Sequence, residues 1–216
     1  NKKPNLIINT IGLTDVEKCE RQSKISKKIN FGIIQTIFNL KNKKKINFDL
    51  IHISLDKFYN KKKLKKNNEN SKIFLTNNYC KHKRMAEKIC IKNNSLVLRT
   101  NFFGKSLSKN KSFFDWIIST FKSKKKFYLF DDVYFNPVSI DFLCKIINKL
   151  IIKEAYGTIN ISSNLSISKY QFGIIISKVF KLNQKLIVPI NLSDKKIIKR
   201  PLFMSLSNKK LVKTLK

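Results

Sequence analysis

Phe48-Asp49-Leu50-Ile51-His52-Ile53-Ser54 is a short, mostly apolar run of the kind found in strands that are buried on both faces of a sheet. Residues 6–10 and 95–100 form two further runs of this kind. Residues 23–40 and 78–92 lie between the runs and have helical patterns. This alternation predicts an α/β fold with a parallel sheet and helices on both faces.

The first of these helices is predicted to bury one stripe of isoleucine and leucine at helical spacing. The second half of the chain continues with alternating elements, and no repeat of 20 to 50 residues is present. The predicted stripe consists of Ile25, Ile29, Ile33, Ile37 and Leu40. The later predicted helices are residues 113–122, 139–152 and 168–180 and a last one from Ser207, and the later strands are residues 127–130, 158–161 and 186–190.

The net charge of +33 is the unusual feature of the composition, and a charge of this size is typical of proteins that bind polyanions. Only four of the 46 basic residues are arginine, although arginine is the preferred residue for bidentate phosphate recognition. Lysine, asparagine and isoleucine share A/T-rich codons, so genome composition explains the lysines at least as well. We therefore predict no nucleic-acid partner, and the lysine runs at 43–45, 61–66 and 122–126 are expected to be solvated surface.

The cysteine pattern indicates a reduced protein without a structural metal. Four cysteines are scattered without a C-x-x-C pair, and only two histidines could complete a zinc site. No apolar stretch approaches the 18 residues of a membrane span, and the beginning of the chain has no signal-peptide pattern. We expect a cytoplasmic protein with no membrane partner and no bound metal.

Tyr79 and Lys83 are the sharpest chemical signal in the sequence. Their i, i+4 spacing at the start of a predicted helix places the phenol and the ammonium on one face. An adjacent cation favours the phenolate, so such a pair could exchange a proton near neutral pH. A tyrosine of this kind can act as general acid or base in carbonyl reduction.

The order of several motifs resembles that of the extended short-chain dehydrogenases/reductases, and most closely that of the dTDP-4-dehydrorhamnose reductases and related nucleotide-sugar reductases. The matching stretches run collinearly over nearly the whole chain. They are Pro4–Asn9 with Thr14–Glu20, His52–Phe58, Tyr79–Lys83 with Ala86–Lys88, Leu98–Gly104, Phe130–Ser139, and Lys199–Pro201 with Leu206–Ser207.

The resemblance implies a Rossmann-type nucleotide-binding domain followed by a small substrate domain. Residues 1–101 would be the later part of the first, and residues 102–216 would form a substrate-binding α/β region. Segments from about 127–161 would return to the Rossmann sheet. The resemblance also implies NADPH or NADH as cofactor, a nucleotide-linked 4-keto-6-deoxy sugar as substrate, and a homodimer as a possible assembly.

Within this family Tyr79 would be the catalytic acid that protonates the sugar carbonyl oxygen. Lys83 would lower the pKa of Tyr79 and hold the nicotinamide ribose, so both residues would also contact the cofactor. The product would be a deoxysugar for surface polysaccharide.

The resemblance further implies binding residues outside this pair. Ile11, Gly12 and Thr14 would lie in a loop that contacts the adenosine and linking groups of the cofactor. Phe102 would flank the nicotinamide or the sugar, and Arg200 would pair with the diphosphate of the substrate.

Two departures from the family pattern bear on activity. The position of the family's catalytic Ser/Thr is Leu55, which cannot donate a hydrogen bond, and the adjacent Ser54 is the substitute candidate. Loss of one preorganised donor typically lowers the rate by about 10²–10³. The Gly-rich turn that binds pyrophosphate is also missing from the sequence, as are the first strands, so we expect this chain to be an N-terminally truncated fragment that is inactive alone.

Three other functions stay open at this point. A non-catalytic relative would bind a dinucleotide and regulate a partner without turnover. A nucleotide-sugar epimerase or dehydratase would share Tyr79 and Lys83, and a polyanion-binding protein would depend on its lysines.

Among the remaining polar residues, His82 is expected on the surface, and Asp131 and Asp132 in a turn. Phe113, Phe114, Trp116, Ile117 and Phe121 are expected to form core.

Overall fold

The computed structural model describes residues 4–60, 65–107 and 111–216. The strands in chain order are β1 (Leu6–Asn9), β2 (Asp49–Leu55), β3 (Leu96–Thr100), β4 (Phe102–Phe103), β5 (Phe127–Phe130), β6 (Tyr134–Phe135), β7 (Val138–Ser139), β8 (Gly157–Ile161), β9 (Ile167–Ser168) and β10 (Ile187–Ile190). The helices are α1 (Val16–Arg21), α2 (Ser23–Lys27), α3 (Ile33–Lys44), α4 (Asn78–Lys92), α5 (Phe113–Lys122), α6 (Ile140–Ile152), α7 (Lys169–Val179) and α8 (Lys209–Leu215).

The main sheet contains four parallel strands in the order β1-β2-β3-β8. Successive side chains of each strand point to opposite sides of the sheet. Helices cover both sides, so the central strands are buried on both faces. Leu50 and Val97 pack against α3 and α4, whereas Ile51 and Leu98 pack against α6. Burial of each such side chain contributes about 1.5–3 kcal/mol relative to exposure. The predicted parallel α/β sheet with helices on both faces is confirmed.

A second, smaller unit follows β3 and surrounds its own aromatic core. It contains three two-stranded sheets, β5 with β10 in parallel, β4 with β7 in parallel, and β6 with β9 antiparallel. From the span 127–161, β8 lies in the main sheet, whereas β5 pairs with β10 in the smaller unit. The division of the chain at residues 101 and 102 stays a prediction.

The helix predicted over residues 23–40 has a different buried face from the one expected. Ser26, Asn30, Ile34 and Phe38 are buried. Of the predicted stripe, Ile29, Ile33 and Ile37 are half-buried and Ile25 and Leu40 are exposed, so the prediction is correct only in part. A π-helical turn at Lys28–Gly32 separates α2 from α3. The buried Asn30 side chain both donates to Leu13 O at 3.1 Å and accepts from Leu13 N at 2.9 Å. Polar contacts to the loop after β1, which periodicity does not report, therefore select the face that is buried.

The predicted aromatic core over residues 113–121 is correct only in part. Ile117 and Phe121 are buried in the second unit, but Phe113 and Trp116 are 38% and 40% exposed. Both line a cavity that is described below. The lysine runs at 43–45 and 122–126 are exposed as predicted, as are Lys65 and Lys66, whereas residues 61–64 lie outside the described part of the chain.

Gly173 in α7 provides a test of the packing in the second unit. A Cβ at this position would overlap Leu129 Cδ1, a buried side chain of β5. Gly173→Ala should therefore lower the free energy of unfolding by roughly 1–3 kcal/mol. Gly32→Ala is the matched control, because its Cβ would meet nothing closer than Lys27 O at 3.8 Å and its φ of −59° is helical. Urea midpoints should fall for Gly173→Ala and stay equal or rise for Gly32→Ala, and equal midpoints for the two variants would contradict this packing.

Candidate functional site

The carboxyl ends of the parallel strands and the start of α4 meet at one edge of the main sheet. This edge is where open α/β sheets bind their ligands. The loop after β1 contributes Ile11, Gly12 and Thr14, all of which are exposed. Gly12 passes close to Asn30, and a Cβ there would lie 3.3 Å from Asn30 Oδ1. The three residues predicted to contact a cofactor thus lie together in a loop with accessible backbone.

The position of α4 is set by capping contacts at its first turn. Asn77 Oδ1 accepts from Cys80 N at 3.0 Å, and Asn77 Nδ2 donates to Lys199 O at 3.1 Å. Glu20 Oε2 accepts from Asn78 N at 2.9 Å, which places a carboxylate at the positive end of the helix. The turn that carries Tyr79 is therefore attached to α1 and to the segment around Arg200.

Tyr79 and Lys83 are both buried, with exposed fractions of 6% and 4%. Lys83 Nζ donates to Ile53 O at 2.6 Å, so the ammonium is held against the end of β2. Burial lowers the pKa of Lys83 to about 8, although Glu87 and Cys90 oppose this. Burial also raises the pKa of Tyr79, to which Cys80 and Asp56 add. The expected lowering of the Tyr79 pKa is thus wrong for this structure, because desolvation dominates and keeps the phenol protonated.

Ser54 lies on β2 beside the Glu87 carboxylate of α4 and adds to the lowering of the Glu87 pKa. Its buried Oγ atom has no hydrogen-bond partner within the described residues. Leu55 instead packs in one cluster with Tyr79 and Cys80. Both residues thus approach α4, Leu55 at its first turn and Ser54 near Glu87 further along the helix. The substitution of Ser54 for the missing donor stays a prediction.

A buried ion-pair network behind α4 has no counterpart in the sequence predictions. Arg99 Nε and Nη2 donate to the two carboxylate oxygens of Glu87 at 2.9 and 2.8 Å. Arg99 Nη1 donates to the Tyr59 hydroxyl and, at 3.2 Å, to Glu69 O. Burial opposes ionisation, but Arg99 holds the pKa of Glu87 below its usual value. Arg99 within the apolar strand β3 was the sequence signal for this network, because a charged residue in a buried strand must have an oppositely charged or hydrogen-bonding partner.

A cavity of about 340 Å³ opens between the strand ends and the second unit. Aromatic side chains form much of its wall, among them Phe102 and Phe113, and Lys57, Lys169 and Arg200 supply positive charge. Phe102 is 47% exposed. The structure thus brings together the two residues predicted to bind substrate, Phe102 and Arg200. Neither Lys57 nor Lys169 was predicted from the sequence to bind a ligand.

A buried carboxylate lies among the positive charges near this cavity. Asp56 accepts from Asn101 Nδ2 at 2.8 Å, and burial raises its pKa against the opposing influence of Lys169. Lys169 Nζ lies 3.1 Å from the centroid of the Phe135 ring, a cation–π contact. Burial lowers the pKa of Lys169 to about 7, with Asp56 opposing and Lys57 adding to the shift. The cavity therefore carries more positive than negative charge and suits an anionic ligand with a planar group.

Arg200 is held at the rim by Glu17 of α1, with Nη2 2.9 Å from Glu17 Oε1. Its Nε atom is buried and makes no hydrogen bond. One edge of the guanidinium therefore bonds α1, while the side chain as a whole is 36% exposed. The segment after Arg200 is bound in turn by Asn60, whose Oδ1 accepts from Leu202 N at 2.9 Å.

The remaining predicted positions have structural roles. His82 is buried and its Nδ1 is 2.9 Å from Ser26 Oγ, so the surface position expected for it is wrong. Asp131 accepts from Ser168 Oγ at 2.7 Å, and Asp132 accepts from Leu192 N at 2.9 Å.

Within residues 4–60, 65–107 and 111–216, no His, Cys, Asp and Glu side chains cluster as metal ligands. In the same ranges no helix has the length and apolar character needed to cross a membrane.

Comparison with known families assigns the chain. Residues 1–216 match the family model described as the RmlD substrate binding domain. The chain belongs to this family. The resemblance to extended short-chain dehydrogenases/reductases is thereby confirmed for this RmlD-type chain. No curated protein matches it.

Solved structures share the fold of this RmlD-type chain. A dTDP-4-dehydrorhamnose reductase from Clostridium acetobutylicum has a TM-score of 0.87 and 23% identity over 98% of this chain and 74% of its own. The Bacillus anthracis enzyme, solved in complex with NADP, has a TM-score of 0.88 and 21% identity over 97% and 74%. A hypothetical dTDP-4-dehydrorhamnose reductase from Sulfolobus tokodaii has a TM-score of 0.83 and 26% identity over 97% and 73%.

The Glu87 network predicts unequal effects for its two arginines. Arg99→Met leaves a buried carboxylate with one partner fewer and should lower the free energy of unfolding by roughly 3–5 kcal/mol. Arg84 bonds the same carboxylate at 2.7 Å but is 23% exposed, so Arg84→Met should cost about 1 kcal/mol or less. Chemical denaturation measures both values. Equal losses of unfolding free energy for the two variants would show that the buried Arg99–Glu87 pair stabilises the protein no more than the partly exposed Arg84–Glu87 pair.

The cavity chemistry predicts an unusually reactive Lys169. Its pKa of about 7 means that the neutral, nucleophilic fraction rises as the pH increases through 7, whereas an ordinary lysine requires a pH near ~10. Trace labelling with acetic anhydride, read by mass spectrometry from pH 6 to 10, should give half-maximal labelling of Lys169 near pH 7. Lys88, which is exposed on α4, is the internal control. A Lys169 profile that coincides with that of Lys88 would contradict the electrostatic description of the cavity.

Proposed function

We propose that the protein reduces the 4-keto group of a nucleotide-linked 4-keto-6-deoxy sugar with NADPH or NADH as the reductant. The observation that carries this proposal is the buried pair of Tyr79 and Lys83 at the start of α4, beside the cavity lined by Phe102 and Arg200. Membership of the RmlD substrate binding domain family supports the same substrate class. The product would serve the synthesis of deoxysugars.

The loop after β1 fits the adenosine and linking groups of such a cofactor, and the start of α4 fits its nicotinamide ribose. Gly12 provides exposed backbone in the loop after β1, where a side chain would crowd Asn30. Ile11 and Thr14 flank it, and Lys83 retains N–H donors beyond the one bound to Ile53 O. These residues and Tyr79 would hold the cofactor, which supplies a hydride when bound. The sequence has no Gly-rich turn for the pyrophosphate, and the NADP complex of the Bacillus anthracis structure supports the cofactor class.

Tyr79 is in the protonation state that a proton donor needs. Its phenol is protonated at neutral pH and burial raises its pKa further, so it donates only as the hydride transfer builds negative charge on the carbonyl oxygen. Lys83, with a pKa of about 8, can supply a proton to the resulting phenolate or stabilise it as a cation. Arg200 at the rim would pair with the diphosphate, and Phe102 would pack against the sugar or the nicotinamide.

The main competing function is that of a non-catalytic relative that binds a dinucleotide and turns over nothing. Leu55 favours it, because this residue occupies the position of the family's hydroxyl donor. An epimerase or dehydratase would use the same tyrosine and lysine with a different reaction direction. Turnover assays with a keto sugar and with a 4-hydroxy sugar distinguish the reductase, the non-catalytic relative, and the epimerase or dehydratase.

Tyr79→Phe tests the proposed reduction. Removal of the phenolic proton should lower kcat by about 10²–10⁴ with little change in KM, because the ring and its packing remain. The assay follows NADPH and NADH oxidation with a nucleotide-linked 4-keto-6-deoxy sugar. Tyr156→Phe is the control, since Tyr156 is 74% exposed and lines none of this site.

Three outcomes separate the functions in this assay. Cofactor binding without turnover of any keto sugar by the wild type would contradict the reductase and support the non-catalytic relative. Conversion of a nucleotide-linked 4-hydroxy sugar, offered in a parallel assay, without net oxidation or reduction of the nicotinamide would identify an epimerase or dehydratase. A Tyr79→Phe variant as active as Tyr156→Phe would remove Tyr79 from the mechanism.

A further inference from the structure

The proposed reduction lacks one donor that the carbonyl oxygen would need. Negative charge develops on this oxygen as the hydride arrives, and preorganised donors stabilise it. Leu55 fills the place beside Tyr79 with an apolar side chain, and Ser54 lies beside Glu87, about two turns further along α4. Tyr79 alone would therefore have to stabilise the developing charge unless another group reaches the same oxygen.

Lys57 is the cation that approaches this position. It follows Leu55 by two residues and lines the cavity. Its Nζ atom lies 5.2 Å from the centroid of the Tyr79 ring. The backbone at Lys57 is anchored to α4, since Lys57 O accepts from Cys80 Sγ at 3.4 Å. The ammonium is thus held near the side chain that we propose as proton donor, at the mouth of the substrate cavity.

The charges around Lys57 leave it available to a ligand. Asp56 is the neighbouring carboxylate and stabilises the cation, while Arg200 opposes it and burial lowers its pKa. The thiols of Cys19 and Cys80 are the other titratable groups that face it, and Lys169 lies across Asp56. Asp56 already accepts a hydrogen bond from Asn101. The ammonium carries three N–H donors, more than these surroundings require.

We propose that Lys57 is a further catalytic residue, whose ammonium donates a hydrogen bond to the carbonyl oxygen of the keto sugar in place of the missing hydroxyl. This inference rests on the proposed reduction. In that step a C–H bond of the reduced nicotinamide would break and the nicotinamide would be oxidised, while its hydride forms a C–H bond at the carbonyl carbon and the C=O π electrons move to the oxygen. The oxygen takes the proton from Tyr79, whose O–H bond breaks, while Lys57 keeps its proton and stabilises the charge during the transfer.

The kinetic test compares two lysines of the same cavity. Lys57→Met should lower kcat by about 10²–10³ with a small change in KM, as loss of an oxyanion donor does. Lys169→Met removes the same charge from the cavity, but Lys169 lies on Phe135 rather than Tyr79, so its effect should fall on KM. Lys88→Met controls for surface charge. Lys57→Arg should recover part of kcat, and added ethylammonium should raise the rate of Lys57→Ala.

A second readout does not require turnover. The carbonyl stretching frequency of a ¹³C=O-labelled keto sugar, bound together with the oxidised cofactor, reports the donors on its oxygen. The frequency should be lower in the wild type than in Lys57→Met, while Lys169→Met should leave it unchanged. Binding of the labelled sugar to each variant is confirmed by titration, so a variant that does not fold is recognised and replaced by Lys57→Gln.

The outcomes separate this inference from the proposed function. If the wild type reduces keto sugars and Tyr79→Phe is inactive, but Lys57→Met keeps kcat and the carbonyl frequency, the role of Lys57 is wrong and the reductase stands. If Lys57→Met and Lys169→Met lower kcat equally, the effect belongs to the charge of the cavity, and the inference also fails. If the wild type reduces no keto sugar, the proposed function fails first.

Discussion

The buried ion pair between Arg99 and Glu87 is the interaction on which the geometry of the site depends. It joins β3 to α4 through two hydrogen bonds, and a third donor of Arg99 reaches Tyr59 in the segment after β2. These are the three elements that carry the site. Burial of both charges is tolerable only because each is fully partnered. This contact, more than two helical turns from Tyr79, fixes the orientation of α4 together with the capping contacts at its first turn.

The cavity depends on a second set of polar contacts, those that hold the segment before α8 against the two units. Asn67 donates from its backbone to Ser205 O at 2.8 Å and accepts from Ser207 N at 2.7 Å. Asn136 exchanges hydrogen bonds with the backbone of Leu206, so an asparagine from each unit binds the same few residues. Because these contacts lie far apart in sequence, Arg200 reaches the cavity only in the folded chain. The positive charge of the cavity is therefore a tertiary property rather than a consequence of the high lysine content.

Several elements could be predicted to the residue from local pattern. The helix at 78–92, the helix at 113–122 and the strand at 127–130 all have the predicted bounds. Each has a capping residue or an apolar run that is complete within its own sequence, such as the Ser112 capping box of α5. The buried face of the first helix was predicted only in part because it is chosen by Asn30 and Ser26, polar residues that a hydrophobic pattern assigns to solvent. The predicted surface position of His82 was wrong because the residue is buried against Ser26, which is distant in sequence and therefore invisible to a local pattern.

The sequence by itself determined the parallel α/β architecture, the family and the i, i+4 spacing of Tyr79 and Lys83 on one helix, because strand composition and helical spacing are local properties. The tertiary structure alone decided which charges are buried and what they face. It raised the pKa of Tyr79 through desolvation, turned Ser54 toward Glu87, and brought Lys57 over the Tyr79 ring. These outcomes depend on dielectric environment and on contacts between segments that are distant along the chain, and neither is encoded in any single stretch of residues.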